Sequence, residues 1–388
     1  MMVGYCGLIG EKFRYSDERE YLTLAKNLDA RAIFSLDGVH PTAFRPPGYP
    51  VALAVVHWLG SPWWAVRQIN VVAYLVVIFC VWWLARRVAG NVAATLAAPL
   101  AATYPLGFYS AGALYPQQMA AAGLLLGLVG VTGLSTSRRP KCRIIGAGAA
   151  LSFSIVCVPT FVVPALVIGA WVMWRERRLV LALGFVFVSL VPSALWTIRN
   201  GVVLHAFVPI SDNNGLNLLL GNSAHTGPRS GVNVDISRFV HHAASHHLNE
   251  VQTNNYFAHE ALVWISQHPV DAAVLYVQKT LNYFAPFDHL ATAGQGGGGV
   301  LVLSVSYAAL LAGLVLWFVT RRGRRDALDL LVFLYLVGAP VQAIYFTRVR
   351  FREPLDYLLI VVGCCALARA LAGSRTLRGA EASTPEAR

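Results

Sequence analysis

The chain has 388 residues, of which 56% are hydrophobic and only 13% charged, and its formal net charge is +12. A soluble domain carries about twice that share of charge, so the composition excludes an ordinary soluble fold and points to an all-α polytopic membrane protein. The positive charge does not imply a nucleic acid partner, because the arginines sit at the ends of apolar segments, where a bilayer accounts for them.

In chain order, Met1 to Phe13 holds no apolar run long enough for a signal peptide or a span and meets charge at once. Tyr15-Ser16-Asp17-Glu18-Arg19-Glu20-Tyr21 then opens a helical pattern through Leu22, Ala25 and Leu28. Ser16, with a polar group three residues on, reads as a helix start. Asp17 and Glu18 would be stable near the positive end of that helix dipole even with no other role. Ala43-Phe44-Arg45-Pro46-Pro47-Gly48-Tyr49-Pro50 follows, and the apolar run from Gly48 to Gly60, only about 13 residues, reads as a re-entrant or interface-lying helix.

Apolar stretches long enough to cross, or nearly so, lie at about 67–85, 90–107, 118–134, 143–157, 160–174, 179–196, 299–319, 328–346 and 354–372. The pair around Cys157-Val158-Pro159 is short and reads as a tight hairpin. Arg86-Arg87, the cluster Arg138-Arg139-Lys141-Arg143, the cluster Arg175-Arg177-Arg178 and the cluster Arg321-Arg322-Arg324-Arg325 fall on one side if every stretch crosses, and the positive-inside rule makes that side the cytoplasm. The division expected is a first outer loop at 1–66, spans at 67–196, a long outer loop at 197–298, further spans at 299–372 and a disordered cytoplasmic tail at 373–388. The cysteines Cys6, Cys80, Cys142, Cys157, Cys364 and Cys365 are scattered and form no CxxC pair, so they read mostly as small hydrophobes.

Unusual polar residues collect on the outer side. Trp196-Thr197-Ile198-Arg199-Asn200 leads into Phe207 to Leu218 and Gly221-Asn222, rich in Asn, Gly and Ser, which make turns and hydrogen-bond sugar hydroxyls. His241, His242, His246 and His247 could hold a metal, but nothing nearby completes a site and a solvated helix is the favoured reading. Gly294 to Gly299 reads as a hinge. Arg348, Arg350 and Arg352 lie in a short outer loop, Thr347 to Glu353, against the positive-inside rule. Either the overall orientation outvotes them or they bind an anion.

Five pieces in this order resemble the bacterial membrane glycosyltransferases of the GT-C superfamily, in the family-39-like branch of the protein O-mannosyltransferases and aminoarabinose transferase. They are Tyr15 to Tyr21 with Leu24 to Leu28, Ala43 to Pro50, Trp196 to Asn200, Gly215-Leu216-Asn217 with Gly221-Asn222, and Arg348-Val349-Arg350-Phe351-Arg352 before Pro354. The resemblance runs from about 13 to 372 and implies a GT-C-like bundle of about nine spans with short juxtamembrane helices in the outer loops. It also implies a chemistry: a sugar carried on a polyprenyl phosphate passes to a lipid, glycan or protein hydroxyl at the outer face of a bacterial inner membrane. Asp17 then holds the place of the general base, with Glu18 as the alternative. Arg45, Arg199, Arg348, Arg350 and Arg352 become candidates for the donor phosphate, since arginine pairs with phosphate oxygens and stays charged. Tyr49, Asn200, Asn217 and Asn222 are candidate substrate contacts. No cofactor or metal ligand is assigned, although such chemistry leaves room for a divalent cation. The partners expected are the donor, the acceptor and membrane lipids, with no nucleic acid.

Two features depart from the family pattern. Relatives usually begin with a span before the acidic loop, which Met1 to Phe13 cannot provide, and they often carry an acid on the outer loop near Leu114 to Met119, where this chain has Tyr115-Pro116-Gln117-Gln118. The rival readings are a sugar-polymer ligase or polymerase, a transporter or flippase of lipid-linked sugars, and a non-catalytic relative. Against a transporter, internal repeats are not evident, and Glu and Lys are nearly absent from span centres.

Overall fold

A bilayer offers the backbone no water, so a chain this apolar must close its hydrogen bonds within each segment, and helices do so. The computed structural model describes residues 2–9, 12–231, 233–286, 297–321 and 326–381, and among these every regular element is helical. The helices are α1 (Met2–Ile9), α2 (Ser16–Arg31), α3 (Gly48–Trp58), α4 (Gln68–Ala102), α5 (Pro105–Ala111), α6 (Gln117–Thr132), α7 (Pro140–Cys157) and α8 (Val162–Glu176). They continue as α9 (Leu179–Leu204), α10 (Asn214–Gly221), α11 (Ser237–Ser245), α12 (Glu250–Gln267), α13 (Pro269–Asn282), α14 (Gly297–Thr320), α15 (Ala327–Ala343) and α16 (Val349–Glu381). Among the described residues, five segments are long and apolar enough to cross a membrane: Trp63–Ala102, Pro140–Cys157, Leu179–Leu204, Gly299–Thr320 and Val349–Ala372. Apolar side chains such as Phe79, Phe187, Leu301 and Val305 stay exposed on their flanks, as lipid contact requires.

The first of these is two limbs rather than one rod. Ala89 and Gly90 leave the helical region, and Gly90 takes φ 81°, a left-handed value that suits glycine. Tyr74 Oη donates to Ala101 O at 2.5 Å, although a continuous helix would set those residues about 40 Å apart. The chain therefore doubles back at Ala89–Gly90, matching the two stretches expected at 67–85 and 90–107.

Side-chain contacts then sort the helix ends into two sets. Arg87 donates to Thr132 O and Thr136 Oγ1, Arg143 donates to Gly130 O and Val129 O, and Arg369 donates to Val88 O and pairs with Asp326. The turn of α4, the α6–α7 link, the start of α15 and the far end of α16 thus share one arginine-rich end. Arg322, Arg324 and Arg325 and the glycines at 294–296 lie outside the described residues, as does the tail from 382. Before that tail α16 continues helical to Glu381, where disorder from 373 was expected.

The opposite end carries α1, α2, α3 and α5 and a layer made by α10 to α13. That layer has its own small core of Leu219, Phe239, Ala243, Phe257 and Ala261. It is held to the bundle partly by Lys279, which donates to Gly221 O, Asn222 Oδ1 and Tyr345 O at 2.8–3.1 Å. α3 has 11 residues, too few to span. It packs Tyr49, Leu53 and Ala54 inward on α2 and α7 and leaves Trp58 and Leu59 exposed.

Candidate functional site

Two cavities open at this end, of about 300 Å³ and about 180 Å³, and Asp17, Tyr115, Phe346 and Arg350 line both. Asp17 is in the first turn of α2, but no side chain caps that helix; Tyr15 holds the cap position and Ser16 is already helical. The carboxylate is engaged by arginines instead. Arg45 Nη2 lies 2.8 Å from Oδ1 and Arg350 Nη1 lies 3.0 Å from Oδ2. Tyr115 Oη donates to Oδ2 at 3.5 Å, and Arg45 Nε reaches Glu20 at 2.6 Å. Burial opposes ionisation of Asp17, but Arg350 and then Arg45 outweigh it and hold the carboxyl below the usual carboxylate range. Burial keeps the Tyr115 phenol protonated by raising it far above its ordinary value. The guanidinium of Arg350 also stacks over the Tyr115 ring at 4.7 Å.

The cavities differ in lining. The larger holds Arg14, Tyr15, Tyr109, Ser110, Arg348 and Glu353. The smaller holds Arg45, Gln117, Ser211, Asn213, Asn214, Asn217 and Gln342 beside apolar Val158 and Pro159. Gln117 Oε1 and Gln342 Oε1 are buried there without a hydrogen-bond partner. The smaller cavity shares Thr160, Gln342 and Phe351 with a narrow apolar slot between α8 and α15, lined by Val163, Leu334, Val337 and Leu355.

Of the residues expected from the sequence, Asp17, Arg45, Arg348, Arg350 and Asn217 meet at these cavities, and the others do not. Glu18, the alternative base, is 0% exposed; it pairs with Arg67 at 3.3 Å and accepts from the Arg14 and Leu114 amides at 3.0 Å. It is a strut that ties the first loop to α4. Arg352 is not in a loop, because α16 begins at Val349. Side chains two residues apart leave a helix about 200° apart, so Arg350 faces the cavities while Arg352 points into the bundle. There it pairs with Asp356 at 3.2 Å and donates to Tyr283 O at 2.8 Å. Arg199 holds the first loop through Thr42 O at 2.9 Å and stacks on Trp196. Asn200 donates to Val208 O, and Asn222 to Leu218 O and Ile344 O. Tyr49 is buried, its hydroxyl accepting from Asn70.

Arg14 and Gln342 were not singled out by sequence, and Tyr115 and Gln117 drew notice only as a departure from the family pattern and not as site residues. Gln342 had a readable signal, a lone carboxamide inside an apolar helix. Gln118, where an acid was looked for, is buried and donates to Glu353 Oε1 at 2.7 Å and Gly107 O at 2.9 Å. An ionised acid there could not donate to Glu353 and Gly107 O as the amide does. Among the described residues no three His, Cys, Asp or Glu side chains gather as a metal site, and His242 and His246 stack with rings 4.0 Å apart on an exposed helix end.

Solved structures with the same helical arrangement exist. ArnT from Cupriavidus metallidurans bound to undecaprenyl phosphate is 15% identical, with TM-score 0.50 over 99% of this chain and 79% of that one. The oligosaccharyltransferase of Archaeoglobus fulgidus in its apo form is 15% identical, with TM-score 0.57 over 98% of this chain and 51% of that one. The archaeal oligosaccharyltransferase AglB from Archaeoglobus fulgidus, in complex with an inhibitory peptide and a dolichol-phosphate, is 13% identical, with TM-score 0.53 over 100% of this chain and 52% of that one. This chain thus spans about half the length of the archaeal enzymes. No protein-family model matches the sequence, and no curated protein is similar to it by sequence. This chain shares its fold with ArnT and with these archaeal oligosaccharyltransferases, and that is the kind of fold the sequence resemblance implied.

Proposed function

We propose that this protein is an inverting glycosyltransferase that moves a sugar from a polyprenyl phosphate to an acceptor hydroxyl at the outer face of a bacterial inner membrane. The observation that carries this reading is the position of Asp17 in the wall shared by two cavities, between two arginines. A group-transfer enzyme needs two substrates to meet at one base, and this arrangement provides that meeting point.

The smaller cavity suits the donor. Its apolar slot between α8 and α15 gives a lipid tail a way into the bilayer, Arg45 and Arg350 supply fixed cations for a phosphate, and the amides of Gln117, Asn213 and Asn217 fit sugar hydroxyls. The larger cavity then receives the acceptor. Asp17 takes the proton of the acceptor hydroxyl as its oxygen bonds to the anomeric carbon. The bond from that carbon to the phosphate oxygen breaks, and the phosphate leaves with the electron pair. Arg45 and Arg350 stabilise its growing charge.

The test is sugar transfer by the purified chain in liposomes supplied with polyprenyl-phosphate sugars and a cell-envelope extract as acceptor. Asp17→Asn should lower turnover by about 10²-fold or more. Transfer near the wild-type rate by that variant would remove Asp17 from its role.

A further inference from the structure

The resting geometry presents a difficulty that also suggests its resolution. Both carboxylate oxygens of Asp17 are engaged, Oδ1 by Arg45 and Oδ2 by Arg350 and Tyr115. A carboxylate held this way has little free affinity for a proton. Its two arginines are not equivalent. Arg45 is also anchored to Glu20 at 2.6 Å, and its guanidinium lies over the rings of Phe44 and Tyr21. Arg350 has Asp17 as its one ion-pair partner among the described residues, and it lines both cavities.

We propose that a polyprenyl phosphate and Asp17 compete for Arg350, so that donor binding itself releases the base. This rests on the transferase reading above. The phosphate in the smaller cavity takes Arg350 as a charge-assisted partner, while Arg45, which lines the same cavity, keeps its bond to Oδ1 and adds its charge to the phosphate's surroundings. Oδ2 then keeps the Tyr115 hydroxyl and turns to the larger cavity that Asp17 lines. With Arg350 withdrawn, the groups still facing Asp17 are Arg45 and Glu20 from the first loop and α2, Tyr21 from α2, Tyr115 from the segment before α6, and, around the larger cavity, Arg14 before α2 and Arg348 and Glu353 at the start of α16. The carboxyl returns toward its ordinary range and becomes a competent acceptor of a proton. The consequence is order: an acceptor that arrives before the donor meets a latched base and is not deprotonated.

Competition for one arginine is a thermodynamic linkage, so it can be read from binding alone. The experiment titrates undecaprenyl monophosphate into the full chain in lipid nanodiscs, with occupancy read by native mass spectrometry. Asp17→Asn frees Arg350 and should tighten binding by roughly tenfold. Asp17→Glu keeps the charge and should not. Arg350→Gln should weaken binding, and Asp17→Asn should no longer tighten it when combined with Arg350→Gln. Unchanged or weaker binding by Asp17→Asn overturns the exchange, as does tightening that persists in the double variant. Because no sugar is transferred in this assay, the two ideas separate. If Asp17→Asn abolishes transfer yet leaves lipid-phosphate binding unchanged, the base stands and the exchange falls. If the linkage is seen and no donor is turned over, the exchange stands and the transferase reading falls.

Discussion

Both ends of the bundle are rich in arginine, yet the arginines do different work. At the end shared by the α4 turn and the α6–α7 link they are exposed or half-buried and bind mostly carbonyl oxygens; Arg321, paired with Asp329 at 3.0 Å, keeps 42% of its side chain exposed. At the site end Arg67 and Arg352 are 2% and 4% exposed, and each is matched to a buried carboxylate. Charge at the first end acts as a sum that orients the chain in the membrane. At the second it acts pair by pair, and losing one partner strands the other in a poorly solvated place.

That contrast can be broken by substitution. Glu18→Ala leaves Arg67 buried without its carboxylate and should cost about 3–5 kcal/mol of stability, visible as a large fall in melting temperature in detergent. A fall no larger than that of a surface variant would mean that Gly112 O and Lys12 O alone satisfy Arg67. Asp212 supplies a pH test. Its Oδ2 is buried without a partner, and burial, then the nearby Glu250 carboxylate, pushes its carboxyl up to about 7. The folded value lies above the ordinary one of 3.8, so the protonated form stabilises the fold fully below pH 3.8 and that stabilisation is lost as the pH rises through about 7. Wild type should lose on the order of 2–4 kcal/mol between acid and mildly basic buffer. Asp212→Asn should flatten that slope, and an unchanged slope would assign it to another group.

Lys279→Met removes the donor shared by Gly221 O, Asn222 Oδ1 and Tyr345 O, and should cost about 2–3 kcal/mol. Limited proteolysis of the α10–α13 layer reads this, and protection equal to wild type would show that the layer is held elsewhere. The smallest effect belongs to the other end: Arg321→Ala should change stability by less than about 1 kcal/mol, and a larger loss would erase the contrast.

The apolar helices were legible because an apolar run declares itself without knowledge of its neighbours, although α6 and α15, at 16 and 17 residues, are shorter than the segments long enough to cross. The site was legible only in part, because a motif shows which residues are close in sequence and not which way each points. Asp17 and Glu18 are adjacent, yet one faces the cavities and the other a buried arginine. Arg350 and Arg352 part in the same way once α16 is seen to begin at Val349. The charges at Arg350, Arg352 and Glu353 disguised that first turn as a loop. The Gly221-Asn222 pair resembled a sugar contact, but its reason is packing: a Cβ on Gly221 would collide with the Tyr345 carbonyl, and Asn222 ties the same strip of chain to Lys279.

The doubling back at Ala89–Gly90 has a consequence for how the chain enters the membrane. Its two limbs share no linker, so neither can be laid down in the bilayer and left to wait for the other. They form one unit of insertion, and the length of each limb sets the depth of its partner. An epitope tag between Arg87 and Gly90 would find no loop to occupy and should abolish assembly, whereas the same tag at Ser137 to Arg139, where helical structure has already ended, should be borne.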